Sequence, residues 1–350
     1  MPRDFSEVDT LVLGGGGARG IAYVGALQEL ANVYDWWSAS RRLKRVCGCS
    51  VGALYAAMIA VGATADEVSA IAREQPMRSL VDPDVQLLVS KCGMDTGDAL
   101  LQWVDGLLRA KTARQNLTLA ELFGLTGVEL ELVATNLNLA RVEYLSHETA
   151  PGMRVAEAVT TSMALPPLFC GRMWRAPVGR ARGVAPADCG ATAPLAVGQS
   201  VRLAERVKVE PIDGAELPAV RVGVVEAAGG AAGATVRVER SCTLVDGGLL
   251  DNYPFRRAAR DGARCVGLCL TWKNAFTLGS ITSYFSRTAC VALTAAEERE
   301  MQHAEVRRAT VRIDTGPVAT VDLDLQPSVV EALIARGRLA MMEFIQHAED

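Results

Sequence analysis

Three short glycine motifs occur in a fixed order along this chain, and each one follows a run of apolar residues. They are GGGGARG at residues 14–20, GCSVG at 48–52 and DGG at 246–248. In an α/β protein, parallel strands deliver catalytic groups to the carboxyl edge of the sheet. The motifs therefore predict an α/β fold that brings a glycine loop, a serine (Ser50) and a carboxylate (Asp246) to one edge of a sheet.

Ser50 lies between a predicted strand at 43–47 and a predicted buried helix at 51–61. Strand, G-x-S-x-G and helix together are typical of a nucleophile elbow, where the serine occupies a strained turn. Gly48 and Gly52 flank the serine because larger side chains at these positions would collide. The alternative is a plain strand-to-helix turn in which Ser50 caps the helix.

The first glycine motif has two interpretations. Its spacing also satisfies the dinucleotide fingerprint G-x-G-x-x-G, in which backbone N–H groups at a helix start bind a pyrophosphate. A hydrolase would use the same N–H groups to bind the oxyanion of a tetrahedral intermediate. Four consecutive glycines exceed what the fingerprint needs, which favours the oxyanion loop. Arg19 lies at the positive end of a helix dipole and so requires an anionic partner, either a substrate phosphate or a structural carboxylate.

Histidine is scarce, which decides how Asp246 would act. The chain has three histidines, and only His303 and His347 follow Asp246, both within predicted helices. His147 precedes Asp246 and follows a predicted strand. A Ser-His-Asp triad is therefore poorly supported, and a Ser50–Asp246 dyad is favoured, with a desolvated carboxylate taking the serine proton directly. Asp-Gly-Gly is also an ordinary turn sequence.

The ordered set of motifs, without a usable histidine, resembles the patatin-like phospholipases. Residues 156–169 (AEAVTTSMALPPLF) are similar to the A-x-x-A-S-x-A-x-P-x-x-F segment of that family, and residues 246–254 (DGGLLDNYP) to its D-G-G-x-x-x-N-x-P segment. The C-terminal helix containing residues 333–337 is similar as well. The resemblance covers residues 8–170 and 241–347.

This resemblance implies a three-layer αβα fold with a central, mostly parallel sheet, and calcium-independent hydrolysis of lipid acyl esters. Ser50 would be the nucleophile and Asp246 the base. The oxyanion hole would lie in the glycine loop, at the N–H groups of Gly15, Gly16 and Gly17 and beside Arg19. The N–H of Val51 is a further candidate donor. The glycines that shape the remaining turns would be Gly48, Gly52, Gly247 and Gly248.

Composition is consistent with a cytoplasmic, soluble enzyme. Half of the 350 residues are hydrophobic and the net charge is −4, which gives no general attraction to nucleic acid. The nine cysteines include no C-x-x-C pair, and we expect reduced thiols, no metal site and no cofactor. Cys49 competes weakly with Ser50 as nucleophile, because an elbow exposes its central residue. No signal peptide is predicted at the N-terminus.

We expect one patatin-like domain over residues 1–350, with a β-rich insertion at 171–240 that the family pattern does not explain. Apolar residues alternate with polar ones through this insertion, which predicts a β-ribbon. Its first residues carry Arg172, Trp174 and Arg175 without an acidic residue, as an interfacial contact with lipid would require. The insertion is therefore predicted to be a lid or docking element at the site; the alternative is a solvated loop.

The leading function is hydrolysis of fatty acyl esters in phospholipids or lysophospholipids through an acyl-enzyme on Ser50. A transacylase, or a hydrolase of neutral lipids or small esters, is the alternative among enzymes. Outside enzymes, the alternative is an anion- or nucleotide-binding regulatory module that uses the glycine loop.

Overall fold

The computed structural model describes residues 7–36, 42–74, 77–189, 191, 197, 199–205, 207–212, 221–227, 233–272 and 281–349. The strands are β1 (Thr10–Leu13), β2 (Arg45–Cys49), β3 (Glu129–Asn136), β4 (Arg141–Leu145), β5 (Arg172–Val184), β6 (Ser200–Leu203), β7 (Glu210–Pro211), β8 (Arg221–Ala227), β9 (Ala234–Asp246), β10 (Cys265–Thr271) and β11 (Thr310–Asp314). The helices are α1 (Ala22–Leu30), α2 (Val51–Ala60), α3 (Ala65–Glu74), α4 (Val85–Lys91), α5 (Asp98–Thr112), α6 (Leu119–Thr126), α7 (Val155–Ser162), α8 (Gly248–Asp251), α9 (Phe255–Ala258), α10 (Ile281–Met301), α11 (Ala304–Arg308) and α12 (Pro327–Glu349).

The chain divides into two compact units. The first contains Met1–Thr135, Arg141–Arg172 and Val245–Asp350, and the second contains Asn136–Ala140 and Met173–Leu244. The second unit thus starts and ends within a few residues of the predicted insertion at 171–240, and it also includes the turn after β3. None of the described helices combines the length and the apolar character that crossing a bilayer requires.

The first unit is built on a parallel sheet. Its strands pair in the order β11, β10, β1, β2, β3, every pair in this order is parallel, and β4 pairs with β3. Strand β1, with the sequence TLVL, is wholly buried, as expected for a central strand covered on both faces.

Helices cover both faces of this sheet. Val12 and Cys47 pack on one face with Phe255 of α9. The neighbours Leu11 and Leu13 alternate to the other face, where α2 contacts β1. The fold is therefore the three-layer α/β arrangement that the sequence predicts.

The second unit is an antiparallel β structure with its own core. Strands pair in the order β6, β8, β9, β5, β7. Its buried side chains are mostly valine, among them Val201, Val236 and Val238, and they agree with the predicted alternation. In β8, Val225 is buried while Val224 is only half-buried, because Val225 pairs with buried Val236 of β9 and Val224 pairs with Arg237. The alanine- and glycine-rich residues 227–234 predict a loop, and most of them lie outside the described residues.

Two helix ends clarify the local sequence signals. The sequence Thr64-Ala65-Asp66-Glu67 predicts a capping box, and the structure has it at the start of α3: the Thr64 N–H donates to Glu67, and the Glu67 N–H donates to the Thr64 hydroxyl. In contrast, the apolar pattern around His303 predicts one helix over 294–308, and the structure breaks it. Helix α10 ends at Met301, and His303 has extended backbone angles immediately before α11.

Helices α1 and α12 approach each other closely because both carry glycine at the crossing. A Cβ on Gly25 would overlap the carbonyl oxygen of Ile334 in α12, and a Cβ on Gly337 would overlap the carbonyl oxygen of Ala22 in α1. Backbone atoms cannot move aside without separating the helices. By contrast, a Cβ on Gly106 in α5 would meet no atom within 4 Å.

We predict that Gly25→Ala lowers the free energy of unfolding by about 1–3 kcal/mol, because it overpacks the α1–α12 contact. Gly106→Ala is the matched control and should raise the free energy of unfolding by up to about 1 kcal/mol, because alanine favours the helix. Urea unfolding followed by circular dichroism measures both changes. An unchanged midpoint for Gly25→Ala would contradict the close packing described here.

Candidate active site

Ser50 occupies the turn between β2 and α2 in a strained conformation, with φ 53° and ψ −126°. A Cβ on Gly48 would lie 2.5 Å from the carbonyl oxygen of Gly52, and a Cβ on Gly52 would overlap the carbonyl oxygen of Leu13. Both flanking positions therefore require glycine. The Ser50 N–H donates to the hydroxyl of Ser162 at 2.9 Å, which ties the turn to the end of α7. This is the geometry of a nucleophile elbow.

Asp246 ends β9 and is 1% exposed. Its Oδ1 accepts a hydrogen bond from the Gly248 N–H at 2.8 Å, and its own N–H donates to the carbonyl of Ala164 at 2.9 Å. Its Oδ2 is buried and has no hydrogen bond of normal geometry to any described residue. This oxygen is consequently the free face of the carboxylate.

The electrostatics of Asp246 suit a base. Burial raises the pKa of Asp246 from its ordinary value of 3.8 to about 6, against the opposing effects of the nearby Ser50 hydroxyl and the Gly248 N–H. Ser50 is thus close enough to favour the ionised carboxylate. No cation of the part of the chain that the structure describes contributes to this balance, so the poorly solvated carboxylate has an increased affinity for a proton.

Ser50 and Asp246 line one narrow cleft in the first unit. The glycine loop forms part of its wall through Gly16 and Gly17. Most of the remaining lining is apolar: Met163, Leu165, Leu168, Phe169, Leu293, Val321 and Leu323. The cleft therefore brings a strained serine, a buried carboxylate and backbone N–H groups together within apolar surroundings.

The glycine loop is held by specific backbone hydrogen bonds. The Gly14 N–H donates to Leu268 at 3.0 Å, and the Gly15 N–H donates to the carbonyl of Asn252 at 3.0 Å. Among the described residues, the N–H groups of Gly16 and Gly17 have no acceptor. The structure therefore differs from the prediction at Gly15, because the N–H assigned to the oxyanion hole is already occupied.

Asn252 occupies the asparagine position of the D-G-G-x-x-x-N-x-P segment, but the sequence did not predict the contacts that it makes. It is 1% exposed and lines the cleft. Its carbonyl holds Gly15, its side-chain amide donates to Glu297 of α10, and its Oδ1 is buried where a Cβ on Gly15 or Gly248 would collide with it. Asn252 thus joins the glycine loop to the turn after Asp246.

Arg19 does not line the cleft. It is 5% exposed, its Nε donates to the carbonyl of Gly16 at 3.1 Å, and its guanidinium lies 5.5 Å from the centre of the Trp272 ring. Burial raises the pKa of Glu297 to about 7, and the charge of Arg19 opposes that rise. A structural carboxylate near Arg19 is thus present, as one of the two sequence-based alternatives requires. Glu297 had no signal in the sequence.

The three histidines lie apart from the cleft. His147 stacks on Phe123 with ring centres 3.8 Å apart, His303 contacts Glu305, and His347 is exposed on α12. Cys49 is fully buried and does not line the cleft, and burial raises the pKa of its thiol well above the ordinary value. All nine cysteines are free thiols.

The basic edge of the insertion is only partly unpaired. Arg172 forms an ion pair with Asp98 at 3.5 Å, and Arg180 forms one with Glu226 at 2.7 Å. Trp174 is half-buried, whereas Arg175 is exposed and Met173 is 71% exposed. A contact of Arg172, Trp174 and Arg175 with lipid stays a prediction.

A parallel sheet covered by helices, with a strained serine and a buried carboxylate at its strand ends, defines an α/β protein of the nucleophile-elbow class. The family described as Patatin-like phospholipase matches residues 11–259, which is most of the chain. The chain belongs to this family.

Two relatives and one solved structure are similar to this chain. The uncharacterized protein R571 of Acanthamoeba polyphaga mimivirus is 34% identical over 164 residues, which cover 46% of this chain and 53% of the relative. The probable lipid hydrolase 463L of Invertebrate iridescent virus 6 is 24% identical over 171 residues, which cover 46% of this chain and 54% of the relative. The alignments thus span about half the length of each relative. VipD from Legionella pneumophila has the same fold, with a TM-score of 0.52 and 18% identity, covering 97% of this chain and 67% of that one.

The raised pKa of Asp246 makes two opposite predictions for activity and stability. Ester hydrolysis should fall tenfold per pH unit below about pH 6, because only the ionised carboxylate accepts a proton. Asp246→Asn should abolish turnover at every pH. It should nevertheless raise the free energy of unfolding at pH 8 by about 1–3 kcal/mol, because the buried charge is removed.

The linkage between protonation and folding determines how the stability contribution of Asp246 changes with pH. The folded pKa of Asp246 exceeds the unfolded value, so its contribution to stability is greatest below about pH 4 and is lost as the pH rises through about 6. Asp251→Asn is the control: burial also raises the pKa of Asp251 to about 6, but this carboxyl accepts from the Tyr144 hydroxyl. It should leave the acidic limb of the pH–rate profile in place. If Asp251→Asn lost the acidic limb, the group that titrates would be Asp251 and not Asp246.

Proposed function

We propose that this protein is a serine acyl hydrolase that cleaves fatty acyl esters of phospholipids or lysophospholipids, with Ser50 as nucleophile and Asp246 as base. The observation that carries the proposal is the pairing of a strained, half-exposed serine with a buried carboxylate of raised pKa in one apolar cleft. Membership of the Patatin-like phospholipase family supports the reaction class, and the name of the viral relative, a probable lipid hydrolase, agrees with it.

In the proposed reaction, the Ser50 hydroxyl attacks the ester carbonyl and transfers its proton to Asp246. The tetrahedral intermediate collapses, the alcohol leaves with the proton from Asp246, and the acyl group stays on Ser50. Water then attacks the acyl-enzyme and gives one proton to Asp246. As the second tetrahedral intermediate collapses, the Ser50 oxygen leaves and takes that proton back from Asp246, and the fatty acid is released. Desolvation makes Asp246 basic enough for both proton transfers, while still leaving it ionised at neutral pH.

The proposed oxyanion hole consists of the N–H groups of Gly16 and Gly17, with Val51 as a further donor. Gly16, Gly17 and Val51 line the same cleft as Ser50. Such fixed dipoles stabilise developing negative charge without reorganisation. Gly15 has a different proposed role: it leaves room for Asn252, which positions the loop.

The proposed reaction requires no calcium. Backbone N–H groups supply the electrophilic assistance, and the carboxylate generates the nucleophile, so each step has its partner within the protein. Among the residues that the structure describes, no cluster of three or more His, Cys, Asp or Glu side chains could hold a metal ion.

We predict that Ser50→Ala lowers turnover by about 10⁴-fold or more, because the acyl acceptor is lost. Covalent labelling by a fluorophosphonate probe should disappear as well. Activity is measured on phosphatidylcholine and lysophosphatidylcholine vesicles or micelles, with EDTA present throughout and the released fatty acid identified by mass spectrometry.

The controls for this prediction are His147→Ala, His303→Ala and His347→Ala, which should each keep most of the activity. If one histidine variant were as inactive as Ser50→Ala, that histidine would belong to a catalytic triad and the proposed Ser50–Asp246 dyad would be wrong. Full turnover in purified Ser50→Ala would exclude Ser50 as nucleophile, and dependence of the chemical step on calcium would contradict the proposed mechanism.

A peripheral contact with anionic lipid through the edge of the insertion is part of the proposal. Support comes from exposed Arg175 and from half-buried Trp174, since each basic residue near an anionic surface contributes about 1 kcal/mol. The pairing of Arg172 with Asp98 reduces the positive charge available there.

We predict that the double variant Trp174→Ala, Arg175→Glu binds phosphatidylserine vesicles less well than the wild type, most clearly at low salt. Vesicle co-sedimentation measures the change. Arg180→Glu is the control at an arginine that is already paired. Equal binding by the double variant and the wild type would indicate that this edge is a solvated loop and does not bind lipid.

A further inference from the structure

A second apolar cavity adjoins the catalytic cleft within the first unit. It has a volume of about 320 Å³ and lies between α2 and α3; we call it the α2–α3 cavity. Its apolar lining includes Leu54, Tyr55, Met58, Ile71, Ala72 and Trp103. No step of the proposed mechanism uses it. Its volume lies within the range of small-molecule binding sites.

The α2–α3 cavity and the cleft share walls at the reacting atoms. Gly17, Ala18, Val51 and Leu323 line both spaces. Val51 follows the nucleophile directly, and Gly17 belongs to the proposed oxyanion hole. A group attached to the carbonyl carbon on Ser50 would therefore lie beside residues that also line the α2–α3 cavity.

We propose that the α2–α3 cavity binds the acyl chain of the substrate and thereby sets the preferred chain length. This inference rests on the proposed function and assigns the acyl chain of the lipid to the α2–α3 cavity. The ligand class is a medium or long aliphatic acyl chain.

The charges around the cavity favour a chain over a head group. Arg73 and Glu331 form an ion pair with each other at its rim, so the guanidinium is not free to bind a phosphate. Asp322 and Asp324 also line the cavity and would repel an anion. Burial of apolar surface is the attraction that remains, and each buried methylene strengthens binding by about fourfold.

A larger cavity of about 820 Å³ competes for the same role. It shares Val81, Leu168, Val321 and Leu323 with the cleft and includes Arg78 and Arg336 in its lining. It does not border the glycine loop or the residue after Ser50. The α2–α3 cavity therefore lies closer to the position of the acyl carbonyl, and the larger cavity provides the natural comparison in a test.

Two alanines form a matched pair for this test. Ala72 of α3 lines the α2–α3 cavity, and Ala332 of α12 lines the larger one. Each is replaced by phenylalanine, and kcat/KM is measured on p-nitrophenyl butyrate and p-nitrophenyl dodecanoate. We expect Ala72→Phe to lower the ratio of dodecanoate to butyrate activity at least tenfold, whereas Ala332→Phe should change that ratio less than twofold. Ile71→Trp is a second filling variant on the same helix and should act like Ala72→Phe.

A binding measurement separates this inference from the catalytic proposal. Trp103 lines the α2–α3 cavity, so 12-bromododecanoic acid should quench its fluorescence in the inactive Ser50→Ala protein. Ala72→Phe introduced into that protein should raise the ligand concentration needed for half-maximal quenching at least tenfold. Trp103→Phe should remove the saturable part of the quenching. If the wild type hydrolysed no ester but the Trp103 quenching were intact, the proposed function would be refuted and the binding of an aliphatic chain in the cavity would stand.

The inference is overturned in either of two cases. One is a shift in chain-length preference for Ala332→Phe but not for Ala72→Phe or Ile71→Trp, which would place the chain in the larger cavity. The other is the absence of saturable Trp103 quenching in a Ser50→Ala protein whose urea unfolding matches that of the wild type.

Discussion

The close approach of three backbone segments at the ends of β1 and β2 is the constraint on which the site depends. Gly52 at the start of α2 contacts the carbonyl oxygens of Leu13 and Gly14, and Gly48 contacts the carbonyl of Gly52. With any side chain at these glycines, α2 would move away from β1 and the strained turn at Ser50 would relax. The same approach brings the glycine loop beside the nucleophile, so one steric condition serves both the serine and the proposed oxyanion hole.

A second feature is the burial of carboxylates whose charge is not fully compensated. Among the described residues, Asp246 accepts a hydrogen bond from the Gly248 N–H and has no cation beside it, and the negative charge of Glu297 is favoured by Arg19 and the side-chain amide of Asn252. Burial raises the pKa of both carboxyl groups. Such groups cost stability at neutral pH. At Asp246 the cost coincides with the basicity that the proposed chemistry requires. At Glu297 it accompanies the anchoring of Asn252, and through it of the glycine loop.

Under the proposed function, the cleft and the two neighbouring cavities would separate chemistry from selection of a substrate. Ser50 and Asp246 line the narrow cleft, the α2–α3 cavity shares Ala18, Val51 and Leu323 with it, and the larger cavity shares Leu323. Side chains that line the volumes but not the cleft can vary without disturbing Ser50 or Asp246.

Local chemistry in the sequence was sufficient to predict β1, the strand–turn–helix around Ser50, the Thr64–Glu67 capping box and an α/β sheet, because glycine runs, apolar strands and caps act over a few residues. The three-layer αβα arrangement was implied by the family resemblance. The sequence also indicated a carboxylate at Asp246. Only the tertiary structure decided that the Gly15 N–H is occupied by Asn252, that Arg19 does not line the cleft, and that Glu297 lies near Arg19. These contacts join segments far apart in the chain, and no local pattern encodes which distant carbonyl or carboxylate a buried donor will meet.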